Sequence, residues 1–386
     1  MRVHALVPAL LALAAAQSAQ EPAVACRNCG NHGSIPCPKH GRGLLELEKS
    51  VEFCSEAAAC RTCKGALEID CRSCRNGPAE RRIDSRISDV AAWLDARRRQ
   101  VDRITDNVPL MHLRTAHVDL CFSIRPLTVG KVKMGTHELM HLFGQRIEDL
   151  RGLFLRTLAL EERDLPARLG IYMFRDQQDH TRIGPRVTGM GGGGTTGTKL
   201  MGVDAVYSMW HDQRSMPDEE ALHRTIVHNV VHLLASNMLP SCWIGNRRVG
   251  WLDAGLAHWF EDKVTGKCAN FCYEEVALEP GAGFKGGRWR VPVRKLLEAG
   301  KLTSFAELSA KNTDQLDFEE HATSFALVDF LLATRGGAKL RDLLRAVKGS
   351  EGIRGALEKV YGLNPITLDE AFRAWVREEY PLVERR

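Results

Sequence analysis

The sequence predicts an α+β protein: a small N-terminal sheet with helices and then a helical C-terminal part, with a small cysteine-rich module in front of both. The chain has 386 residues, of which 44% are hydrophobic and 26% are charged, a balance that suits one large globular core with small additions. Seven of the 12 cysteines lie between residues 26 and 74 at repeated spacings. From Pro217 onward, hydrophobic residues recur with the period of an α-helix.

Residues 1–19 have the pattern of a secretory signal peptide. Arg2 supplies a positive charge, an apolar run extends from Ala5 to Ala16, and small residues up to Ala19 suit cleavage. This run of about 12 residues is too short to span a bilayer, and no later segment reaches the ~18 to 20 apolar residues that a spanning helix requires. We therefore expect an exported protein, periplasmic, extracellular or on the cell surface, without a transmembrane segment.

The charge distribution gives no sign of a nucleic-acid partner. The formal net charge of +5 is small for this length, and the arginines between residues 81 and 99 are interleaved with aspartates. Mixed charge of this kind is typical of a solvated helix face, and no stacking aromatics accompany it.

Two sets of residues with metal-binding side chains repeat the spacing C-x2-C-x7-C-x2-C/H, 34 residues apart. The sets are Cys26, Cys29, Cys37 and His40, and then Cys60, Cys63, Cys71 and Cys74. Four sulfur and nitrogen ligands from two short knuckles suit a tetrahedral zinc ion. We expect each set to hold its own structural zinc, giving two ions, because a segment this short needs metal binding to fold.

Residues 24–76 also resemble half-repeats of DnaJ-type zinc ribbons, with Gly30, Gly33 and Gly65 placed after the knuckles. The resemblance implies a structural module, or alternatively one that binds a protein partner. Disulfide pairing of the same cysteines after export is the remaining alternative, although His40 in a ligand position counts against it.

Five cysteines lie outside these sets, so at least one is unpaired. A disulfide between Cys268 and Cys272, or with the nearby Cys242, is one pairing that the sequence allows. The full set is Cys54, Cys121, Cys242, Cys268 and Cys272.

Hydrophobic periodicity assigns the remaining elements. We predict a connecting helix over residues 77–105 and then a main domain over 106–386. The domain begins with a strand within His117–Pro126, one long helix over Thr136–Glu162 and a strand over Leu169–Phe174. The glycine-rich segment Gly189–Gly197 reads as a mobile loop, because it lacks the Gly-Lys-Ser/Thr ending of a phosphate loop. Further helices are predicted over 218–238, 251–262, 291–299, 318–334, 337–346, 351–360 and 367–379.

An intact HExxH motif occurs at His137-Glu138-Leu139-Met140-His141. In zinc peptidases, two histidines one helical turn apart bind zinc and the glutamate activates water. A carboxylate from a second helix is also needed, and twenty residues of unbroken helix would place Glu161 about 30 Å from His141. We therefore expect an ordinary helix surface here, with a metal site as the alternative.

A second pair, His228 and His232, also lies one turn apart on a predicted helix. The segment that follows, from Trp251 to Glu261, is similar to the W-L-x-E-G-x-A-x-Y-x-E helix of secreted peptidase-MA-like gluzincins. The segment His321–Val328 looks like the family's Y-A-x-S-W-x-L-V helix. This resemblance implies a zincin-like domain over residues 106–386, in which the helix with His137 carries no ligands.

The resemblance also implies which parts of a gluzincin centre are missing. Asn229 stands where the water-activating glutamate belongs, Ala254 where the third zinc ligand belongs, and His321 where the family has a tyrosine. An amide cannot accept a proton from zinc-bound water, and a methyl group cannot coordinate. A weak three-ligand site from His228, His232 and Asp253 stays open, with His258 as a further candidate.

We therefore expect an exported pseudo-peptidase, with structural zinc and a retained cleft, that binds or assembles a peptide or protein. The main alternative is an active zinc metallopeptidase that uses His137, Glu138 and His141, or a non-standard centre at His228 and His232. A purely structural envelope protein with a vestigial cleft is the third reading.

Overall fold

The computed structural model describes residues 25–74, 77–190, 196–201, 205–271 and 284–383. The predicted signal peptide and Cys272 lie outside these ranges, as does most of the glycine-rich segment that was predicted to be a mobile loop. In the described part of that segment, Gly189 caps a helix in the left-handed conformation and Gly197 begins a strand. No helix within the described ranges is long and apolar enough to cross a membrane.

The cysteine-rich module is built around a two-stranded antiparallel sheet. Strand β1 pairs with β3, with Ser34 opposite Asp70 and Pro36 opposite Glu68. Helices α1 and α2 and strand β2 lie between these strands in sequence. The bounds are β1 Ser34–Pro36, α1 Arg42–Lys49, β2 Phe53–Cys54, α2 Ser55–Ala58 and β3 Glu68–Asp70.

A long helix, α3 (Gly77–Thr105), follows the module over the range predicted for the connecting helix. Ile83, Val90, Trp93 and Val101 recur on its buried face, as the hydrophobic pattern indicates. The Trp93 indole stacks on the ring of Phe53, with 5.1 Å between ring centroids. The helix is thereby packed against the module's strand β2.

The main domain contains a six-stranded mixed sheet in the order β2-β4-β5-β8-β10-β9. Strands β5, β8 and β10 are mutually parallel, whereas β2–β4, β4–β5 and β10–β9 pair antiparallel. A separate hairpin is formed by β6 and β7. The bounds are β4 Met111–Arg114, β5 Val118–Phe122, β6 Leu127–Val129, β7 Val132–Met134, β8 Leu169–Phe174, β9 Gly197–Leu200 and β10 Val206–Trp210.

Helices cover both faces of this sheet. Helix α4 (Thr136–Thr157) packs with Leu120 and Phe122 of β5 in the large core, whereas α5 (Gln177–Thr188) packs with Cys121 and the aromatic residues of β8 in a smaller one. Because successive side chains of a strand point to opposite faces, each parallel strand contributes to both cores. Helix α5 and strands β9 and β10 were not predicted.

The predicted helix over Thr136–Glu162 is too long at its C-terminal end. Helix α4 ends at Thr157, and Ala159 has a positive φ of 50°, which ends helical geometry. Glu162 then begins a short 3-10 turn and pairs with Arg151 at 2.6 Å. Glu161 and Glu162 therefore do not continue the helix that carries His137 and His141.

The C-terminal part is helical, and the seven long helices in its described residues lie within a few residues of the predicted ranges. Their bounds are α6 Glu219–Asn237, α7 Gly250–Thr265, α8 Arg290–Glu298, α10 Phe318–Arg335, α11 Gly337–Lys348, α12 Ile353–Tyr361 and α13 Pro365–Glu379, and the short α9 spans Phe305–Leu308. Asp218 begins α6 as an N-cap, its carboxylate accepting from the amide of Ala221 at 2.8 Å. The fold is thus α+β, as predicted, with a small sheet followed by a helical half.

Helices α6, α7 and α10 form the centre of the helical half. Gly255 of α7 permits close approach to α10, since a Cβ atom there would lie 2.4 Å from the carbonyl oxygen of Ser324. Trp251 and Phe260 on α7 and Phe325 on α10 are fully buried. This packing fixes the position of every buried histidine on the three helices.

Candidate metal centres

The eight predicted ribbon ligands converge into two groups of four, but the sets differ from those predicted. One group is Cys26, Cys29, Cys71 and Cys74, and the other is Cys37, His40, Cys60 and Cys63. In each group the ligand atoms all lie within 4.8 Å of one another. The prediction that each consecutive set holds its own ion is therefore wrong.

The strand pairing of the module explains why each group combines ligands from both repeats. The seven residues between the two knuckles of a repeat contain an extended strand, which carries the knuckles apart instead of folding them together. Antiparallel pairing of β1 with β3 places Gly33 beside Cys71, whose amide donates to the Gly33 carbonyl at 2.9 Å. At the other end of the sheet, the amide of Cys37 donates to the carbonyl of Leu67 at 2.9 Å. The first knuckle thus meets the fourth, and the second meets the third.

The distances within both groups fit zinc better than disulfides. The sulfur atoms of Cys29 and Cys74 are 3.2 Å apart, those of Cys26 and Cys71 3.8 Å. In the second group, Nε2 of His40 lies 3.3 Å from the sulfur of Cys63. A disulfide needs about 2.05 Å, whereas ligands on a tetrahedron around zinc are roughly 3.3 to 3.8 Å apart. Both groups have the donor types and spacing of structural zinc sites.

One thiol in each group is polarised toward metal binding, whereas burial raises the pKa of Cys63 and a hydrogen bond with Cys29 raises that of Cys74. Hydrogen bonds from the backbone amides of Asn28 and Cys29 lower the pKa of Cys26 to about 7. Burial raises the pKa of Cys60, but the amides of Cys63 and Thr62 outweigh it and lower the value to about 6. Amides that stabilise thiolate favour the form that binds metal.

The other described cysteines are free thiols. Cys121 is buried and accepts from Arg97 at 3.0 Å, while the Cys268 thiol donates to the carbonyl of His258 at 3.3 Å. Cys242 donates to the carbonyl of Lys348 at 3.6 Å. The predicted alternative of a disulfide with Cys272 falls on a residue outside the described ranges.

Helices α6 and α7 bring the second histidine pair into a buried polar cluster. His228 and His232 lie one turn apart on α6, with 3.3 Å between their Nε2 atoms. Nδ1 of His228 contacts the carboxylate of Glu261 on α7 at 3.0 Å, and Nδ1 of His258 lies 3.6 Å from the same oxygen. His228, His258 and Glu261 form a group whose ligand atoms lie within 4.8 Å of one another.

Asp253 takes a different place from the one proposed for a third ligand. One of its carboxylate oxygens lies 3.0 Å from Nδ1 of His232. The other accepts from the Trp243 indole and the Thr313 hydroxyl, both at 2.9 Å. Asp253 is thereby held against His232 and outside the group around Glu261.

Glu261 is the member of this cluster that sequence reasoning missed. It lies two turns after Ala254 on the same face of α7, with His258 between them, so its helical spacing could have signalled its role. Its second oxygen accepts from the amides of Ala269 and Asn270 and from the Asn270 side chain, at 2.7 to 3.2 Å. The carboxylate is therefore held in one orientation.

The three positions at which the sequence resemblance implies a missing gluzincin group are occupied by buried or hydrogen-bonded residues. The Asn229 side chain donates to the carbonyl of Thr225 and accepts from the Lys199 ammonium, both at 2.8 Å. Ala254 is fully buried. His321 on α10 lies with Nδ1 2.9 Å from Nε2 of His258, which extends the cluster.

Burial sets the charge state of the cluster. The side chains of His228, His258 and Glu261 are at most 1% exposed. Burial lowers the pKa of His228 and of His258 to about 4, so both imidazoles are neutral near pH 7. Burial would raise the pKa of Glu261, but its contacts with the two histidines outweigh it and lower the value to about 2. Neutral imidazoles beside an ionised carboxylate suit a cation, yet these histidines do not line the open cleft that was expected.

The HExxH motif lies at the start of α4 and was expected to be a plain helix surface, which the structure corrects. His137 and His141 face Glu48 of α1 and Cys54 of β2, and the four ligand atoms lie within 4.8 Å of one another. Glu138 is exposed, and its carboxylate accepts from the amide of Gly135 at 2.8 Å as a helix cap. The motif's glutamate is therefore turned away from its histidines.

An open pocket of about 750 Å³ lies where the parallel strands end. Arg125 follows β5, Arg175 follows β8 directly, and Trp210 ends β10, so the pocket sits at the carboxyl edge of the sheet. Asp176 pairs with Arg175 at 2.7 Å and with Arg125 at 3.4 Å. The pocket combines an aromatic ring with partly neutralised arginines.

No protein-family model matches the sequence, and no curated protein matches it either. Among solved structures, the chain is similar to a mutant M1 zinc metallopeptidase from Deinococcus radiodurans, with 11% identity and a TM-score of 0.34. The match covers 72% of this chain and 53% of that one, so the chain spans about half the length of the peptidase it matches. At this distance the likeness assigns no activity, and the chemistry has to follow from the residues of this chain.

Proposed function

We propose that this protein is an exported, zinc-stabilised, gluzincin-like pseudo-peptidase that works as a binding or assembly module for a peptide or protein. The observation that carries the proposal is the environment of Asn229. At the position where a peptidase needs a general base, both ends of its carboxamide are engaged, with Thr225 and Lys199. An amide so held takes no proton from water.

No nearby carboxylate among the described residues takes over that role. Glu261 and Asp253 are the acidic groups of the cluster, and both are buried and fully engaged. The pKa of Glu261 is about 2, which makes it a weak base near neutral pH, where a general base works best with a pKa close to 7. Ala254 supplies no ligand. A cation held by His228, His258 and Glu261 would therefore support the structure without activating water.

The same reasoning weighs against hydrolysis at the HExxH motif. Glu138 caps its own helix, and Glu48 and Cys54 occupy the space in front of the two histidines. A catalytic zinc needs an open position for water, whereas four protein ligands close the coordination sphere.

The pocket at the carboxyl edge of the sheet is the surface that best suits a binding role. Tryptophan and arginine are the side chains that most often dominate protein interfaces, and Trp210, Arg125 and Arg175 lie together here. Such a surface favours an extended peptide with an acidic group and an apolar side chain.

Hydrolysis of a mixed unfolded-protein substrate tests the catalytic half of the proposal. We expect no cleavage by the wild-type protein that a chelator abolishes, and we expect wild type and His228→Ala to give the same background rate. Cleavage that chelator abolishes and that is lost in His228→Ala or in His137→Ala/His141→Ala would establish the active-peptidase alternative instead.

Capture of a fluorescent, unfolded polypeptide tests the binding half. We expect the pair Arg175→Ala and Trp210→Ala to weaken capture about tenfold or more. The matched control is the pair Arg354→Ala and Ile366→Ala, which removes an exposed arginine and an exposed apolar side chain far along the chain. Equal capture by wild type and both variants would contradict this assignment of the surface, and no capture at all would favour a purely structural envelope protein.

Export is part of the proposal and rests on residues 1–19 alone. Fractionation of cells that express the full chain, with N-terminal sequencing of the product, measures it. A product that starts at Met1 inside the cytoplasm would contradict export.

A further inference from the structure

Four side chains from three elements, α1, β2 and α4, meet at the contact between the cysteine-rich module and the main domain. Glu48 lies in α1, between the second and third knuckles, and Cys54 ends β2, which joins the main sheet beside β4. His137 and His141 lie one turn apart at the start of α4, so both project from one face of that helix. The sequence gives no hint that Glu48 and Cys54 belong with this pair.

The four ligand atoms converge on one point. Nε2 of His137 lies 2.8 Å from one oxygen of Glu48 and 3.4 Å from the sulfur of Cys54. Nε2 of His141 lies 3.6 Å from the other Glu48 oxygen. With bond lengths near 2.0 Å to nitrogen and oxygen and 2.3 Å to sulfur, the ligands of a tetrahedral zinc are roughly 3.3 to 3.8 Å apart. Two of the three separations fall within this range, and the contact between His137 and Glu48 is shorter.

Buried polar atoms of Glu48 and His141 without a hydrogen bond separate this group from an ordinary ion pair. Glu48, Cys54 and His141 are 2 to 3% exposed. Neither carboxylate oxygen of Glu48 and neither ring nitrogen of His141 has a hydrogen bond of acceptable geometry. A buried carboxylate is costly unless it is paired and hydrogen-bonded. The nitrogen atoms of His137 and His141 lie close to this buried charge but are not aligned for hydrogen bonding. A cation shared by the three side chains would explain this arrangement.

We propose that Glu48, Cys54, His137 and His141 bind a zinc ion that joins the cysteine-rich module to the main domain. One thiolate, two imidazoles and one carboxylate are the donors that zinc accepts in tetrahedral sites. The four ligands close the site, so the ion is structural. This inference does not rest on the proposed function, because its test is the zinc content of the chain, whereas the proposed function is tested by hydrolysis and by polypeptide capture.

The proposed zinc ion lies between the module and the main domain, so it would hold the two together. It crosslinks α1 and β2 of the module to α4, which lies on the main sheet. A ligand that binds only the folded protein stabilises it, so the ion makes docking of the module dependent on zinc.

Zinc content of the purified full chain, measured by native mass spectrometry and elemental analysis, tests the proposal. We expect His137→Ala/His141→Ala to bind one zinc equivalent fewer than wild type while keeping the ions of the ribbon groups. Retention of those ions shows that the variant has folded. His117→Ala is the matched control, because it removes a partly exposed histidine that pairs with Glu148 and Glu162, and it should leave the zinc content unchanged.

Two milder variants keep the test decisive if the double variant does not fold. Glu48→Gln preserves size and shape, and Cys54→Ser preserves the small polar side chain; each should lower the content by one equivalent at limiting zinc. Unchanged zinc in both variants would overturn the proposal. So would a third ion that is lost only in His228→Ala/His258→Ala, since that ion would belong to the cluster with Glu261.

Discussion

The histidines around Glu261 illustrate how a single carboxylate can organise a buried cluster. Glu261 contacts His228 through one oxygen and three donors from residues 269 and 270 through the other. Because all its lone pairs are used, the carboxylate is ionised at little cost and keeps the neighbouring imidazoles in fixed orientations. Glu261 thereby supplies α7 with a buried carboxylate that faces His228 of α6.

The depressed pKa values of His228 and His258 predict loss of stability in mild acid. Both are about 4 in the folded protein, against about 6.5 for an ordinary histidine, so the unfolded chain binds more protons between these values. The free energy of unfolding should fall as the pH drops from about 6.5 to about 4, by at most ~1.4 kcal/mol per pH unit for each histidine. Glu261, with its pKa near 2, adds a further loss only below about pH 4.5.

Urea unfolding at about pH 7 and about pH 5.5 measures this dependence. His258→Gln removes one of the titrating groups and should flatten the slope relative to wild type. An unfolding free energy equal at both pH values would show that these imidazoles are not buried in neutral form.

Element by element, helical periodicity was the most informative signal in the sequence. The predicted helices 318–334 and 337–346 correspond to α10 and α11. The buried positions of α11 repeat every three to four residues, whereas α10 is buried on all sides from Glu320 to Val328. Strands β9 and β10 were missed, since a four-residue strand beside a glycine-rich segment has little periodicity of its own. The pairing of β10 with β8, and of β9 with β10, depends on contacts that local sequence does not encode.

For the candidate sites too, the local sequence identified ligand residues but not which of them meet in space. Residue types and spacing identified all eight ribbon ligands, yet the partition into two groups depends on the antiparallel register of β1 and β3. Glu48 gave no signal at all, because one glutamate in a short amphipathic helix resembles any solvated residue. Only the docking of α1 against α4 brings it to His141.

Paired cysteine substitutions test the observed partition. Cys29 and Cys74 belong to one group, so Cys29→Ser/Cys74→Ser should cost one zinc ion, whereas Cys29→Ser/Cys37→Ser should cost two because it damages both groups. If each consecutive set held its own ion, the first double variant would lose two ions and the second would lose one. Native mass spectrometry of the two double variants distinguishes the arrangements directly.

The contact between helices α7 and α10 leads to a second prediction about single elements. Gly255→Ala should destabilise the protein by about 1 to 3 kcal/mol, because the added Cβ would lie 2.4 Å from backbone of the facing helix. Gly43→Ala is the matched control: it also lies in a helix, with nothing within 4 Å of its added Cβ, and should be neutral or slightly stabilising. Thermal unfolding of both variants measures the difference, and equal melting temperatures would contradict the close packing.

At the scale of the whole molecule, the cysteine-rich module is continuous with the main domain. Strand β2 of the module extends the main sheet, with Phe53 opposite Arg114 and Cys54 opposite Leu113. Phe53 also stacks on Trp93 of α3. A strand shared in this way couples the folding of both parts, because neither can lose it without exposing apolar surface and backbone hydrogen-bonding groups.

We therefore predict that zinc removal affects the main domain as well as the module. Chelation should lower the melting temperature of the tertiary signal from Trp251 and Trp289, both buried in the helical half, and not only that of the module. Near-ultraviolet circular dichroism during a thermal scan measures this signal. Phe53→Ala, which removes the stacking contact, should reduce the coupling, and an unchanged main transition after complete chelation would argue for independent units.

The exchanged partition of the knuckles also sets an order of metal loading. One group joins residues 23 apart in sequence and lies inside the other, which joins residues 45 apart. The entropy of closing a loop grows with the logarithm of its length, so the outer loop costs about 0.6 kcal/mol more than the inner one. Once the inner ion is bound, the chain that the outer ion has to close is effectively about half as long. Where zinc is scarce, the inner group should fill first and prepare the outer one, so that Cys26 and Cys74 remain open to alkylation longest.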